Sequence, residues 1–162
     1  MTAHVWETAL VQFVLDEAKA LNEGRYEDWL ALFAHDGCYW VPLNGERQAD
    51  PVNHASIAYE DTVLLAIRVR RIGNPRAHSM APGVSSLHVV QQPRVDAPDA
   101  QDGEYRVTTP FVYVELKGER QLLLAGTWRH RLRAQNDSLR IVQKRVDLLN
   151  ASAPHEAIHL FP

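Results

Sequence analysis

His155, Glu156 and His159 spell H-E-x-x-H, a motif whose residue types and spacing carry metal chemistry. Two histidines one helical turn apart can ligate zinc while the intervening glutamate acts as base. That chemistry needs a long helix and a third ligand, commonly downstream. Here Pro154 precedes the motif and only Leu160, Phe161 and Pro162 follow. The spacing is therefore read as a chance match, and Ile158-His159-Leu160-Phe161 as a tail packed on its own domain or on a neighbour. Thiol chemistry is bounded by count. Cys38 is the single cysteine among 162 residues, which leaves no intrachain disulfide, no Cys-ligated iron–sulfur cluster and no Cys-rich zinc site within the chain. Without a matched histidine and oxyanion site, Cys38 reads as an inert, partly buried thiol.

Arginines cluster twice, at Arg68, Arg70 and Arg71 and at Arg129, Arg131 and Arg133. Nucleic-acid binding would be the sharp reading, but the formal net charge is −3 and no exposed aromatics interleave the basic runs, so no nucleic-acid partner is expected. Arginine is also favoured at protein interfaces, where its planar fork pairs with carboxylates. No apolar stretch approaches the ~20 residues that span a bilayer, and the first 20 residues carry acids inside their apolar run with no basic leader. No membrane association is expected, and a cytoplasmic location is.

The elements that must position these residues follow from periodicity. Residues 1–162 have the length and composition of one domain, with 46% hydrophobic and 23% charged residues. Leu10, Phe13, Val14, Ala18 and Leu21 fall on one helical stripe, stopped at Asn22-Glu23-Gly24. Tyr26, Trp29, Leu30 and Phe33 predict a second short helix ending at His35-Asp36-Gly37. Cys38 to Val41, bulky and followed by Pro42, reads as a strand. Residues 43–55 read as a long loop. A third helix starts near Asp61, buries Leu65, Val69 and Ile72, and closes at Gly73-Asn74-Pro75. Residues 74–83 form a second loop. Segments 84–95, 104–116, 120–133 and 139–149 read as strands joined by turn residues, an antiparallel meander. Within the third of these, Leu122, Leu124, Gly126, Trp128, His130 and Leu132 alternate with Gln121, Thr127, Arg129, Arg131 and Arg133. The first set is expected to face the core.

About three N-terminal helices followed by a long meander is an α+β pattern. Long strands twist and bend, so the expected fold is a strongly curved antiparallel sheet with the helices in its concave side. This cone resembles nuclear transport factor 2 (the cystatin-like class) and ketosteroid isomerase. In isomerase and dehydratase relatives of such a fold, a histidine or aspartate base and a tyrosine donor line the cone. Asp36, Tyr39, Tyr59, His88 and Asp147 supply those residue types here, and a free-standing isomerase or dehydratase is the alternative that they allow.

Three longer stretches narrow the reading. One is Phe13 to Leu21, followed by Trp29-Leu30-Ala31-Leu32-Phe33 and then Asp36-Gly37-Cys38-Tyr39-Trp40-Val41-Pro42. A second is Ser56-Ile57-Ala58-Tyr59-Glu60-Asp61 running into Leu65 and Arg68-Val69-Arg70-Arg71-Ile72. The third is Arg140 to Asn150, RIVQKRVDLLN. Together, over roughly residues 7 to 151, the chain resembles the beta (small) subunits of aromatic-ring-hydroxylating dioxygenases. The resemblance implies an assembly role in a bacterial multicomponent oxidoreductase of aromatic catabolism. It implies a larger alpha subunit carrying a Rieske [2Fe–2S] cluster and mononuclear Fe(II), and an α3β3 complex built on a beta trimer. The residues agree on one point. A Rieske centre needs two cysteines and two histidines, and no D-x-x-H-x-x-x-x-H spacing for the oxygenase iron occurs here. No catalytic, cofactor-binding or metal-binding residue is therefore expected on this chain. Arg68, Arg71, Arg129, Arg131 and Arg145 are the expected subunit contacts.

Overall fold

The computed structural model describes residues 3–73, 83–96, 102–153 and 156–162, with side chains from residue 6 onward. Helix α1 spans Ala3–Asn22. Its stripe turns inward as the 3.6 period requires: Leu10, Val14, Ala18 and Leu21 are all buried. The chain reverses at Gly24, whose φ of +68° favours glycine. Helix α2 is shorter than its periodicity predicts, ending at Leu30 (Tyr26–Leu30). Phe33, expected on that helix, instead begins strand β1 (Phe33–Pro42). Strand β2 covers Ser56–Asp61, a span that showed no strand signal, and runs directly into α3 (Thr62–Ile72). There Asp61 caps the helix by accepting from the Leu64 amide at 2.9 Å, a contact worth about 1 kcal/mol. Of the predicted face of α3, Leu65 and Val69 are buried and Ile72 packs beside the core. Asn74-Pro75, most of the 74–83 loop, and the centre of the Asp96–Gly103 connection lie outside the described residues.

The meander follows as β3 (Val84–Val90), β4 (Arg94–Val95), β5 (Glu104–Lys117), β6 (Arg120–Gln135) and β7 (Ser138–Leu148). Asn136 and Asp137, at φ of 48° and 59°, form the two-residue turn that hairpin twist favours between β6 and β7. The sheet order is β2-β1-β7-β6-β5-β3, with β4 on β5. The sheet is not wholly antiparallel as expected, because β1 pairs with β7 in parallel. Nothing local specifies that pairing: it joins segments about a hundred residues apart. Bulges at Val41/Pro42 and Arg131/Leu132 interrupt the ladders, as bending strands require. Inside the curved sheet, one core joins α1, α2 and α3 to Tyr39, Tyr113, Leu124, Trp128, Leu132 and Val146. The alternation predicted for β6 holds, with Leu124, Trp128, His130 and Leu132 buried.

Candidate functional site

The cone interior is where this architecture could do chemistry, and two features fill it. The deeper one is a charged cluster. Glu17 lies on the buried stripe of α1, one turn beyond Val14, and its carboxylate meets three donors. Lys144 Nζ of β7 donates at 2.7 Å and Trp29 Nε1 at 2.9 Å, both to Oε1. His130 Nε2 of β6 lies 2.6 Å from Oε2. The Lys144 ammonium also sits 3.5 Å from the centre of the Trp128 ring, a cation–π contact. Burial acts to raise the Glu17 carboxyl, but Lys144 and then His130 outweigh it and hold the group well below the usual carboxylate range. Glu17, Lys144 and His130 side chains are wholly buried. The cluster is a buried ion pair joining α1 to β6 and β7, not a base facing a substrate.

The second feature is the segment 156–162, which packs against Tyr39 of β1, His88 of β3 and Glu115 of β5. The Phe161 ring lies tilted against Trp29 at 4.4 Å, stands edge-on to Tyr39 at 5.6 Å, and lies under the Arg68 guanidinium at 4.2 Å. Three successive carbonyl oxygens are met by side chains. Arg68 donates to Leu160 at 2.7 Å, His88 Nε2 lies 2.8 Å from the Phe161 oxygen, and the Tyr39 hydroxyl donates to Pro162 at 3.1 Å. At the other end, Glu115 accepts from the His159 and Leu160 amides and from the Tyr113 hydroxyl, and its Oε1 lies 2.7 Å from His159 Nδ1. The tail thus packs on its own domain. His159 stands in irregular backbone, not on a helix; His155, the other histidine of the H-E-x-x-H string, lies outside the described residues. No group of three or more His, Cys, Asp or Glu among the described residues is arranged to hold a metal ion.

The five residues named for a proton-abstraction pocket fall on two sides of the sheet. Tyr39 and His88 face inward and are committed to the tail. Burial, then the charge of Lys144, pushes the His88 imidazolium down to about 3, and burial raises the Tyr39 phenol. A neutral His88 has one N–H, and its two ring nitrogens face two oxygens, Asn22 Oδ1 at 2.9 Å from Nδ1 and the Phe161 oxygen at 2.8 Å from Nε2; the Phe161 oxygen receives the proton only in the Nε2–H tautomer. Asp36, Tyr59 and Asp147 lie on the outer side. Asp36 pairs with Arg133 at 3.1 Å, Tyr59 is half exposed beside Trp40, and Asp147 is clamped by Arg129 at 2.8 Å and Arg145 at 2.7 Å. No base and donor among these five meet around a common open space.

The expected contact arginines occupy that outer side and the rim. Arg131 pairs with Glu104. Arg145 lies over Trp40 at 4.4 Å and donates to the Gly45 and Glu46 carbonyls, while Arg129 reaches Glu46. Arg68 is held by Glu60. Arg71 is exposed, has no ion-pair partner among the described residues, and borders a cleft of about 530 Å³ with Arg68, Glu60, Tyr39 and Pro162. Beyond the arginines the outer sheet turns apolar: Leu87, Val89, Val112, Leu116 and Leu123 are all exposed.

A family model described as the ring hydroxylating beta subunit matches residues 16–154. The chain belongs to that family. The small oxygenase component of the p-cumate 2,3-dioxygenase system of Pseudomonas putida is 32% identical to it over 160 residues, covering 98% of this chain and 88% of that relative. Among solved structures, the beta subunit of the benzoate 1,2-dioxygenase of Burkholderia mallei superposes with a TM-score of 0.70 at 20% identity, over 93% of each chain. A chain of naphthalene 1,2-dioxygenase, solved with indole in the active site, reaches a TM-score of 0.82 at 14% identity, over 100% of this chain and 88% of that one. What these structures share with this beta subunit is the fold, the nuclear transport factor 2-like cone.

Sequence reasoning passed over Glu17 and Lys144 as a pair, although both carry a signal. Glu17 interrupts an otherwise apolar helical stripe at positions 10, 14, 17 and 21. Lys144 stands in the inward alternation of β7 with Val146 and Leu148. A charge on a buried face of each of two elements is the pattern of an internal ion pair.

Proposed function

We propose that this beta subunit is the non-catalytic assembly component of a bacterial multicomponent aromatic-ring-hydroxylating dioxygenase. It works with a larger alpha subunit that carries a Rieske [2Fe–2S] cluster and mononuclear Fe(II), at which an aromatic substrate is cis-dihydroxylated. The complex is a cytoplasmic α3β3 hetero-oligomer in which the beta chains form a trimer. The observation that carries the reading is the filled cone. Phe161 occupies the aromatic box, Tyr39 and His88 are spent on the tail carbonyls, and Glu17 is neutralised internally. With its interior closed, the chain has its outer surface left to offer. There an arginine–carboxylate face adjoins an exposed apolar one, a combination suited to subunit contact. Arg68, Arg71, Arg129, Arg131 and Arg145 contribute to those contacts, and residues 1–162 act as one folding unit.

Co-expression with the alpha subunit tests this. The two chains should elute together in equal amounts and turn over an aromatic with reductase and NADH. The isolated beta chain should elute near 55 kDa, about three times its 18.4 kDa mass, and should oxygenate nothing. A monomer that leaves the alpha subunit unbound, or turnover by the beta chain alone, would overturn the proposal.

A further inference from the structure

We infer that the cone of this beta subunit contains a seat for a small aromatic carboxylate, which the chain fills with its own Leu160–Pro162. A guanidinium, an imidazole and a phenol converge on three consecutive main-chain oxygens around one aromatic ring. These donors are held in place from behind, independently of the tail. Arg68 is anchored by Glu60 at 3.1 Å through its other terminal nitrogen. His88 is fixed by its amide donating to Asn22 Oδ1 at 2.7 Å and by the Trp128 ring at 5.2 Å. Tyr39 belongs to β1, whose neighbours on both sides are paired strands. The donors would therefore keep their positions if the tail moved away.

The ligand chemistry follows from what the donors face. Arg68 is the cationic member, and a guanidinium prefers an anionic acceptor of carboxylate geometry over an amide oxygen. The same guanidinium caps the ring position, where a π face is favoured, and Trp29 and Tyr39 wall it. A benzoate-sized molecule satisfies both demands: its ring takes the place of Phe161 and its carboxylate the place of the tail carbonyls. A cleft of about 530 Å³ lies beside this position and shares Tyr39, Arg68 and Pro162 with it. What holds the tail in is the Glu115 carboxylate, which gathers the amides of His159 and Leu160. Weakening that latch or removing the Phe161 ring should let an external ligand compete.

The test uses the isolated full-length chain, so it does not depend on the alpha subunit. Benzoate and toluene, alike in ring and size but not in charge, are titrated into the native chain, Phe161→Ala, and Phe161→Ala/Arg68→Gln by calorimetry. Phe161→Ala should bind benzoate at least tenfold more tightly than the native chain does, and tenfold more tightly than toluene. Adding Arg68→Gln should erase the preference. A folded Phe161→Ala that binds benzoate no better than the native chain, or binds toluene equally well, overturns the inference, the second outcome leaving only an apolar hole. If Phe161→Ala does not fold, Glu115→Gln takes its place, because it keeps the ring and weakens the latch. Tenfold tighter benzoate binding than in the native chain supports the seat, and unchanged binding overturns it.

Discussion

Lys144 Nζ lies 2.7 Å from Glu17 Oε1, with both side chains fully removed from solvent. An ion pair of this kind is weak evidence for net stabilisation, yet breaking it on one side leaves a charge without compensation, at roughly 3–5 kcal/mol. Lys144→Met and Glu17→Leu should each lower the unfolding free energy by about that amount in urea titrations at neutral pH. The double variant should be less destabilised than the sum of the two, because no buried charge is then left unpaired. A simply additive double variant would show that the two side chains act independently.

The interior titrates in two windows. The folded pKa of His88 is depressed from 6.5 to about 3. The stability it contributes is therefore fully present above pH 6.5 and is lost as the pH falls toward 3, because the unfolded chain takes up the proton first. The slope approaches ~1.4 kcal/mol per pH unit for one proton. The Glu17 carboxyl is depressed from 4.5, so its contribution is present above that value and is lost only below it. Replacing His88 with glutamine should flatten the stability profile between pH 6.5 and 4.5 and leave the acid limb in place. A profile with the native slope in that upper window would assign the proton to another group.

How far the fold could be read in advance depends on the range of the forces involved. The β6 alternation and the α1 stripe are local patterns of burial, and both are legible. The end of α2 is not, because Phe33 fits the helical spacing and yet is taken up by β1, whose pairing with Ile141 of β7 decides its conformation. Ser56 to Glu60 has no element assigned in advance, yet Tyr59 and Ala58 find strand partners on Trp40 and Val41. Within the candidate site, His88 and Tyr39 could be named as cone residues from their types. Their consumption by the tail could not be, since Phe161 is 73 residues from His88 in the chain and nothing short-range links them.

Gly126 marks the closest approach of β6 to β7. A Cβ there would fall on the Asp147 carbonyl oxygen and lie 3.0 Å from Leu148 Cα, both backbone atoms that cannot swing aside. Gly126→Ala should cost roughly 1–3 kcal/mol through strand displacement. Because Asp147 is the residue that clamps Arg129 and Arg145, the shift should also loosen that outer cluster. Thermal unfolding measures the first effect, and the arginine Nε–H signals in NMR the second. An alanine variant with native melting behaviour would mean that the two strands can part at no cost.

Arg71 differs from the other four arginines expected at subunit contacts. Arg68, Arg129, Arg131 and Arg145 are each committed to a carboxylate of the same chain, so replacing any of them disturbs the fold together with any contact it makes. Arg71 is exposed in the last turn of α3, beside Val63, Leu64 and Ile67, exposed apolar residues of the same helix. Of the five, it is the one with no ion-pair partner among the described residues. Arg71→Glu should leave the melting temperature of the isolated chain within the small range expected of a surface change. It should nevertheless weaken association with the alpha subunit at least tenfold, and more steeply at low ionic strength, where reversing a rim charge is least screened. Analytical ultracentrifugation of mixed subunits at two salt concentrations separates the outcomes. Unchanged association at both would move the contact away from this end of α3 and toward the apolar face of β3, β5 and β6.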